Sequence, residues 1–242
     1  MRRVHFGVSK EPKGGGSMST PNETGTLAAG QATETARGVV LVSKEHDVTE
    51  FASKDQTRYV INSVHYNKAA GCIEATNGRQ LVRVPVERSE EFPPVTGADP
   101  GAELPDCTIP IVPFKKALAG IPNGNSLPII QHAAVTPGPE GKVRLTTNDL
   151  DTEQSALVKL VEGNFPNTQQ VIPEWPATLA IGLSPVELKK ICDYCAKHGF
   201  EAGNSGPSIR FEFKDSLSPV RWACKLASGR EATGVLMPMR LS

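Results

Sequence analysis

Two cysteines three residues apart, in the sequence CDYC over residues 192–195, form the motif with the most reactive side chains in the chain. Thiols at this spacing serve in thiol–disulfide exchange or supply half of a zinc site. No second CxxC motif or histidine pair follows at the spacing of a zinc finger. On a helix, Cys192 and Cys195 would share the apolar face, where free cysteine packs as a small hydrophobe. Core packing is therefore the favoured interpretation, and a metal or redox protein is the alternative.

The other residue types that carry catalysis are scattered. The five histidines, at positions 5, 46, 65, 132 and 198, show no HxxxH spacing. The sequence KEPKGGGS fails the phosphate-loop pattern because no Gly-Lys-Ser/Thr follows at the required offset. No nucleophile, base and orienting group can be assigned. The chain is therefore predicted to be non-enzymatic, with no metal and no cofactor.

Lysine pairs recur on two predicted helices. Lys115 and Lys116 lie on a helix over residues 113–119, and Lys189 and Lys190 lie on the polar face of a later one. Such lysines are usually the solvated side of an amphipathic helix. Their recurrence favours a local basic surface instead. The formal net charge is zero, so no global field attracts nucleic acid and any contact must be local.

Composition indicates a soluble globular chain of one or two domains. Of the 242 residues, 38% are apolar and 21% are charged, and no apolar run approaches the roughly 18 residues of a membrane span. Five cysteines in so long a chain do not resemble a disulfide framework, which favours a reducing cytoplasm. Residues 1–37 are rich in Gly, Ser, Thr and Ala and are predicted to be a disordered tail.

From Gly38 onward, short β-branched runs broken by Gly, Pro and Asn predict strands with few helices between them. The acidic, proline-rich residues 87–106 predict a surface linker. The order strand, helix, three strands then occurs twice after the linker and more weakly before it, where residues 44–56 leave room for only a short or irregular helix. The strands are predicted at 38–43, 58–66, 72–76, 80–86, 108–112, near 127–133, 142–147, 153–161, 178–183, 208–213, 220–227 and 233–241.

The helix of the last module has the clearest boundaries. Ser184 is a natural N-cap, Pro185 suits the first helical position, and Glu187 completes a capping box. Gly199 ends the helix. The chain is thus predicted to be an α+β protein built from three βαβββ modules.

Three separated motifs resemble the β sliding clamp family of bacterial DNA polymerase III. They are EATNGRQLVRVPV at 74–86, VEGNFPNTQQVIP at 161–173 and LMPMRL at 236–241, in the family's order. The segment TRYVINSV at 57–64 is also similar to the strand that opens the family's middle domain. The resemblance implies a clamp domain over 38–174 that corresponds to that middle domain. It implies a half clamp domain over 175–242 that corresponds to the end of the family's last domain.

The resemblance also implies a peptide-binding groove beside the C-terminal tail. In the family, short linear motifs of replication and repair proteins dock there, and methionines suit such a groove because they repack around varied ligands. The alternative is that the sequence VLMPM is an edge strand packed on its own core. The matching positions are Ile61, Thr76, Gly78, Arg79, Gln80, Leu81, Pro166, Gln170, Val171, Val235, Met237, Pro238, Met239, Arg240 and Leu241.

The implied function is a clamp-like factor that holds duplex DNA non-specifically and tethers replication or repair proteins, with a non-ring clamp-fold adaptor as the alternative. The chain departs from the family in size, because three modules make one and a half domains. An unpaired module exposes a sheet edge, so a homo-oligomer is expected. The predicted DNA contacts are Lys54, Arg58, Lys115, Lys116, Lys189, Lys190 and Lys197.

Overall fold

The computed structural model describes residues 39–89, 96, 102–122, 131–149, 151–174, 176–201 and 206–241. The predicted N-terminal tail at 1–37 lies outside them. The chain divides into two compact units, Met1–Pro166 and Asn167–Ser242. Among the helices of the described residues, none has the length and apolar character that crossing a bilayer requires.

The first unit consists of two antiparallel sheets and one α-helix within its described residues. One sheet has the strand order β5-β1-β7-β8-β9 and the other has the order β4-β3-β2-β6. Helix α1 spans Ile111–Ala119. The strands are β1 (Val39–Val42), β2 (Ser63–Asn67), β3 (Cys72–Thr76), β4 (Leu81–Pro85), β5 (Glu87–Ser89), β6 (Cys107–Pro110), β7 (Ala133–Pro137), β8 (Lys142–Asn148) and β9 (Glu153–Lys159).

Each module of the first unit lends its first strand to the other module's sheet. Strand β1 pairs with β7, with Leu41 opposite Ala134. Strand β6 pairs with β2, with Thr108 opposite His65. The two modules are thereby interlocked, because neither sheet is complete without a strand from the other.

The core of the first unit lies between these sheets and α1. Phe114 on the helix and Tyr66 on β2 are completely buried, together with Ile73 and Ile109. Burying a side chain of this size contributes about 1.5–3 kcal/mol. Because residues from both modules enter one cluster, the interlocked strands and the core stabilise the same arrangement.

The second unit is a single module. It begins with a 3-10 helix at Thr168–Val171 and continues with α2 at Pro185–His198. Its antiparallel sheet contains β10 (Arg210–Glu212), β11 (Val220–Lys225) and β12 (Glu231–Leu236). The α+β fold of βαβββ modules, one and a half domains in extent, agrees with the prediction.

Helix α2 has the predicted ends. The Ser184 hydroxyl accepts a hydrogen bond from the backbone N–H of Glu187 at 3.4 Å, and Gly199 is the C-cap. The Glu187 carboxylate does not complete the capping box by bonding back to Ser184 in the described contacts; it accepts from Lys190 Nζ at 2.9 Å. The irregular helix predicted at 44–56 takes the form of 3-10 helices at Lys44–His46, Thr49–Phe51 and Gln56–Arg58.

The strand predicted at 58–66 is wrong in its first half, where side chains compete for the backbone. The Asp55 carboxylate accepts from Thr57 N at 2.9 Å, and Asn62 Nδ2 donates to the Ser53 carbonyl. Such local bonds favour turns over sheet ladders. The strand therefore begins at Ser63.

Several other boundaries differ from the predictions, and the strand predicted at 233–241 spans Glu231–Leu236. The predicted linker at 87–106 begins with β5, because its first residues pair with β1. The strand predicted at 108–112 is Cys107–Pro110, and α1 begins directly after it at Ile111. Residues 178–183 form only a bridge between Gly182 and Met239 instead of a strand. The strand predicted near 127–133 lies mostly outside the described residues, and β7 begins at Ala133.

Candidate functional site

A shallow apolar pocket of about 210 Å³ lies on the first unit. Ile61 is buried beneath it, whereas Tyr59 is 58% exposed. Pro166 also lines the pocket, so two of the predicted groove residues, Ile61 and Pro166, come together here. The full lining is Thr57, Arg58, Tyr59, Val60, Ile61, Asn164 and Pro166.

The pocket exists because residues 163–166 fold back against residues 59–61. Gly163 has φ +123°, and a Cβ there would lie 2.9 Å from Val60 Cγ2, so the position requires glycine. Phe165 stacks on His65 with ring centroids 4.4 Å apart and an interplanar angle of 5°. Burial lowers the pKa of His65, which favours the neutral ring. The motif GNFP is thus the structural element that brings Pro166 to the pocket.

A tight turn between β3 and β4 carries the next group of predicted groove residues. Thr76 Oγ1 donates to the Gln80 carbonyl at 2.7 Å, and Asn77 Oδ1 accepts from the backbone N–H groups of Arg79 and Gln80. Arg79 and Gln80 are exposed, whereas Thr76 is buried. Leu81 is the first residue of β4 and is partly buried. The turn therefore presents a rigid backbone with two free polar side chains.

Arg58 joins this turn to the pocket. Its Nη1 donates to the Asn77 carbonyl at 3.3 Å. A Cβ at Gly78, which has φ +86°, would lie 3.0 Å from Arg58 Nη2, so glycine lets the guanidinium approach. Arg58, predicted as a DNA contact, thus lines the pocket in the structure.

The C-terminal residues of the second unit form an exposed apolar strip with a period of two. Val235, Met237, Met239 and Leu241 are 64%, 63%, 54% and 66% exposed, whereas Leu236 between the first two is buried. The backbone is held in place because Met239 N donates to the Gly182 carbonyl at 2.8 Å. We call these four residues the tail strip.

The tail strip does not fit an edge strand that packs all its apolar residues on its own core. Of the other predicted groove residues in the second unit, Val171 is 69% exposed. Gln170 and Arg240 are exposed and Pro238 is partly buried. The predicted groove residues are therefore divided between the two units.

The lysines predicted to contact DNA are exposed, and several have carboxylate partners. Lys189 Nζ lies 2.8 Å from Asp193 Oδ2, and Lys190 Nζ lies 2.9 Å from Glu187 Oε1. The hydrogen bond to Asp193 raises the pKa of Lys189. Lys115 Nζ is 3.7 Å from Glu50 Oε1. Exposed pairs of this kind contribute little to stability. Lys54, Lys116 and Lys197 are exposed as well.

The two cysteines of the CDYC motif do not share an environment. Cys195 is buried, as predicted, but Cys192 is exposed, so the prediction that both lie in the core is wrong for Cys192. Burial and a hydrogen bond with Cys224 raise the pKa of Cys195 to about 11. Within the described residues, no group of three or more His, Cys, Asp and Glu side chains could hold a metal ion. The arrangement gives no support to the metal or redox alternative.

Tyr59, Val60, Asn164 and Thr57 line the pocket but were not predicted. The motifs identified its two apolar ends, Ile61 and Pro166, and not the residues that the return of the chain places between them. A signal was present in the sequence, since the Asp55-x-Thr57 spacing is typical of a turn that exposes the following residues.

Among solved structures, the fold matches bacterial β sliding clamps. The Caulobacter crescentus β sliding clamp has a TM-score of 0.58 and 17% identity, over 90% of this chain and 54% of that chain. The Bacillus subtilis DNA polymerase sliding clamp has a TM-score of 0.58 and 12% identity, over 89% and 52%. The DNA polymerase III β chain of Streptococcus pneumoniae has a TM-score of 0.57 and 14% identity, over 90% and 53%.

These similarities confirm the predicted resemblance at the level of the fold. The chain spans about half the length of the solved clamps that it matches. No protein-family model matches the sequence, and no curated protein matches it significantly.

Proposed function

We propose that the chain is a clamp-type tethering protein that docks short peptide motifs of replication or repair proteins and holds duplex DNA without sequence specificity. The observation that carries the proposal is the tail strip, whose four apolar side chains face solvent at alternate positions. An extended peptide presents side chains with the same period and can bury them. On this proposal the chain acts in the cytoplasm and has no catalytic activity of its own.

The pocket on the first unit supports the same function. It combines an apolar floor at Ile61 with an exposed aromatic ring at Tyr59 and a guanidinium at Arg58. Aromatic and arginine side chains are the types enriched where peptides and proteins bind most tightly. We assign it to an apolar anchor of the peptide, such as the Leu-Phe end of a Gln-x-x-Leu-Phe sequence.

The experiment that tests peptide docking is a calorimetric titration of the intact protein with a peptide of this type. We expect a Kd in the micromolar range, which corresponds to about 8 kcal/mol. A peptide with alanine in place of its Leu and Phe is the control and should not bind. If the two peptides give equal heats, or if neither gives any, the pocket does not bind the Leu-Phe anchor.

The lysine faces support contact with DNA phosphates. Such binding should weaken steeply with salt, because each neutralised phosphate contributes about 0.9 to the log–log slope. Replacing Lys189 and Lys190 with Gln should lower the slope by up to about 2. Neutral replacements are chosen because reversed charges would repel the nearby Asp193 and Glu187.

The matched control for the DNA experiment replaces Lys214 and Arg230, which are exposed in the same unit but outside α2, with Gln. Anisotropy of a labelled duplex across a salt series measures both slopes. If only the variant with Gln at Lys189 and Lys190 lowers the slope, these lysines contact the DNA phosphates. An equal decrease in both variants would make the effect one of net charge alone.

The second candidate function is a clamp-fold adaptor that docks peptides without holding DNA. The carboxylate partners of Lys115, Lys189 and Lys190 favour it, because they reduce the positive potential of both helices. Peptide binding together with no salt-dependent DNA binding would identify the adaptor.

A further inference from the structure

Each of the three modules has the same kind of junction, at the point where its first strand meets its helix. At this junction the chain that follows a module's last strand bonds to its first strand. Glu87 pairs with Leu41 in the first module, and Val161 N donates to the Thr108 carbonyl at 2.9 Å in the second. In the third module Met239 N donates to the Gly182 carbonyl. Leu41, Thr108 and Gly182 are therefore equivalent positions.

The other edge of this first strand distinguishes the third module from the first two. Leu41 lies opposite Ala134 and Thr108 lies opposite His65, each in the sheet of the other module. Within the described part of the chain, Gly182 has no strand on that edge. The third module thus has the same junction, but among the described residues no strand of another module pairs with its Gly182 segment.

The sheet of the third module is open at the corresponding place. In the first unit, β2 pairs with β3 on one edge and with β6 on the other, and β7 likewise pairs with β8 and β1. In the second unit, β10 pairs with β11, and no other described strand borders it. The position of β10 in its hairpin makes it the equivalent of β2 and β7. Open strand edges are sites where another chain can pair.

Residues 180–183 and β10 carry side chains of the types that are buried at equivalent positions of the first unit. Here the same side chains are only partly buried. Counting from the helix N-caps makes Leu183 equivalent to the completely buried Val42 and Ile109, yet Leu183 is only partly buried. Phe211 lies opposite Trp222 as Tyr66 lies opposite Ile73, one residue before the last pair of each hairpin. Tyr66 is completely buried, whereas Phe211 is only partly buried. The second unit therefore corresponds to half of a clamp domain, with core-type side chains that remain partly exposed.

We propose that two copies of this chain join their second units into one complete clamp domain, in which residues 180–183 of each copy add to β10 of the other. A second copy is the partner because it carries both missing parts, a first strand and an open β10 edge. A two-fold axis lets each copy give its first strand to the β10 edge of the other. The interlocked strands of the first unit are the template. This inference is independent of peptide or DNA binding.

The template also fixes the register of the new strand pair. The pair of Thr108 with His65 places Gly182 opposite Arg210 of the second copy, because Phe211 then takes the place of Tyr66. Ile181 then faces Phe211 on the core side, and Ala180 faces Glu212 on the outer side. A one-residue shift would turn Ile181 and Leu183 out of the core, so the register is well specified.

The first test is the mass of the full-length protein by light scattering at tens of micromolar. We expect a dimer, and we expect Ile181→Glu to raise its dissociation constant at least about 100-fold, because the carboxylate would be buried without a partner. Val112→Glu, at an exposed valine of α1, is the matched control and should remain dimeric. A monomeric wild type, or a dimeric Ile181→Glu, would overturn the proposal.

The second test fixes the register by disulfide formation and does not depend on a destabilising variant. In a Cys192→Ser background, Ala180→Cys with Glu212→Cys should form a covalent dimer under mild oxidation, because residues directly opposite have the spacing that a disulfide needs. Ala180→Cys with Arg210→Cys is two residues out of register and should crosslink far more slowly. Equal crosslinking of both pairs, or none of the first, would refute the strand exchange.

Discussion

Replacing Arg83 with methionine is expected to lower the free energy of unfolding by about 3–5 kcal/mol, because it removes the cation that contacts a buried carboxylate. Glu74 lies in the middle of β3 directly opposite Arg83 on β4. Their Oε2 and Nε atoms are 2.7 Å apart, and the side chains are only 1% and 18% exposed. Asn67 Nδ2 also donates to Glu74 Oε1 at 3.3 Å.

Hydrogen exchange of the peptides that cover β2, β3 and β4 measures this loss where it occurs. The matched control is Arg221→Met, which removes an exposed arginine that lies 3.3 Å from Glu212 on the surface of the second unit, and we expect little change there. Adding Glu74→Gln to Arg83→Met should restore much of the protection, because no charge is then buried. If Arg83→Met alone leaves exchange unchanged, the pair contributes nothing to stability.

The sequence predicts elements well where local signals and tertiary contacts agree. Helix α2 has its N-cap at Ser184 and its C-cap at Gly199, as the residue types indicate. Strand β3 was predicted with correct bounds, since CIEAT is a β-branched run that ends at a turn. Cys72 to Thr76 are all buried, and the apolar and β-branched residues among them favour that environment.

The failures occur where pairing decides the structure. Strand β5 lies in a stretch whose acids and prolines are typical of a loop, and it is a strand because β1 offers an edge to it. Residues 178–183 show the opposite case, because their pattern predicts a strand but only Met239 pairs with them in the described residues. Neither outcome can be read from local composition, since the partner is remote in the chain.

The same limit applies to the candidate site. The motifs predicted Ile61 and Pro166, and the pocket contains both. Tyr59 and Asn164 were missed because their neighbourhood depends on the return of residues 163–166, which Gly163 and the stack of Phe165 on His65 determine. The exposure of Cys192 was missed for a related reason. A helix period identifies an apolar face, but it does not say whether anything covers that face.

Replacing Met237 and Met239 together with alanine is expected to weaken binding of a Gln-x-x-Leu-Phe peptide by at least about 30-fold. Each methionine is more than half exposed in the free protein, so a docked peptide can bury much of its side chain. Truncating two such side chains removes at least about 2 kcal/mol of apolar burial, and every 1.4 kcal/mol is tenfold in affinity. Calorimetric titration measures the change.

The methionine-to-alanine variants separate the contribution of the side chains from that of the backbone. Met239 N keeps its bond to the Gly182 carbonyl when the side chain is shortened, whereas deleting residues 237–242 removes that bond as well. The deletion should abolish peptide binding altogether. Because Gly182 also lies in the segment proposed to exchange between copies, the mass of the deletion variant should be measured beside its affinity.

Leu217→Ala is the matched control for the methionine variants. Leu217 is 69% exposed in the second unit and lies outside the tail strip. Its truncation removes a similar apolar surface and should leave the affinity unchanged. If the methionine and Leu217 variants bind as the wild type does, the tail strip is not a docking surface. If all of them weaken binding equally, the peptide recognises exposed apolar surface without a defined site.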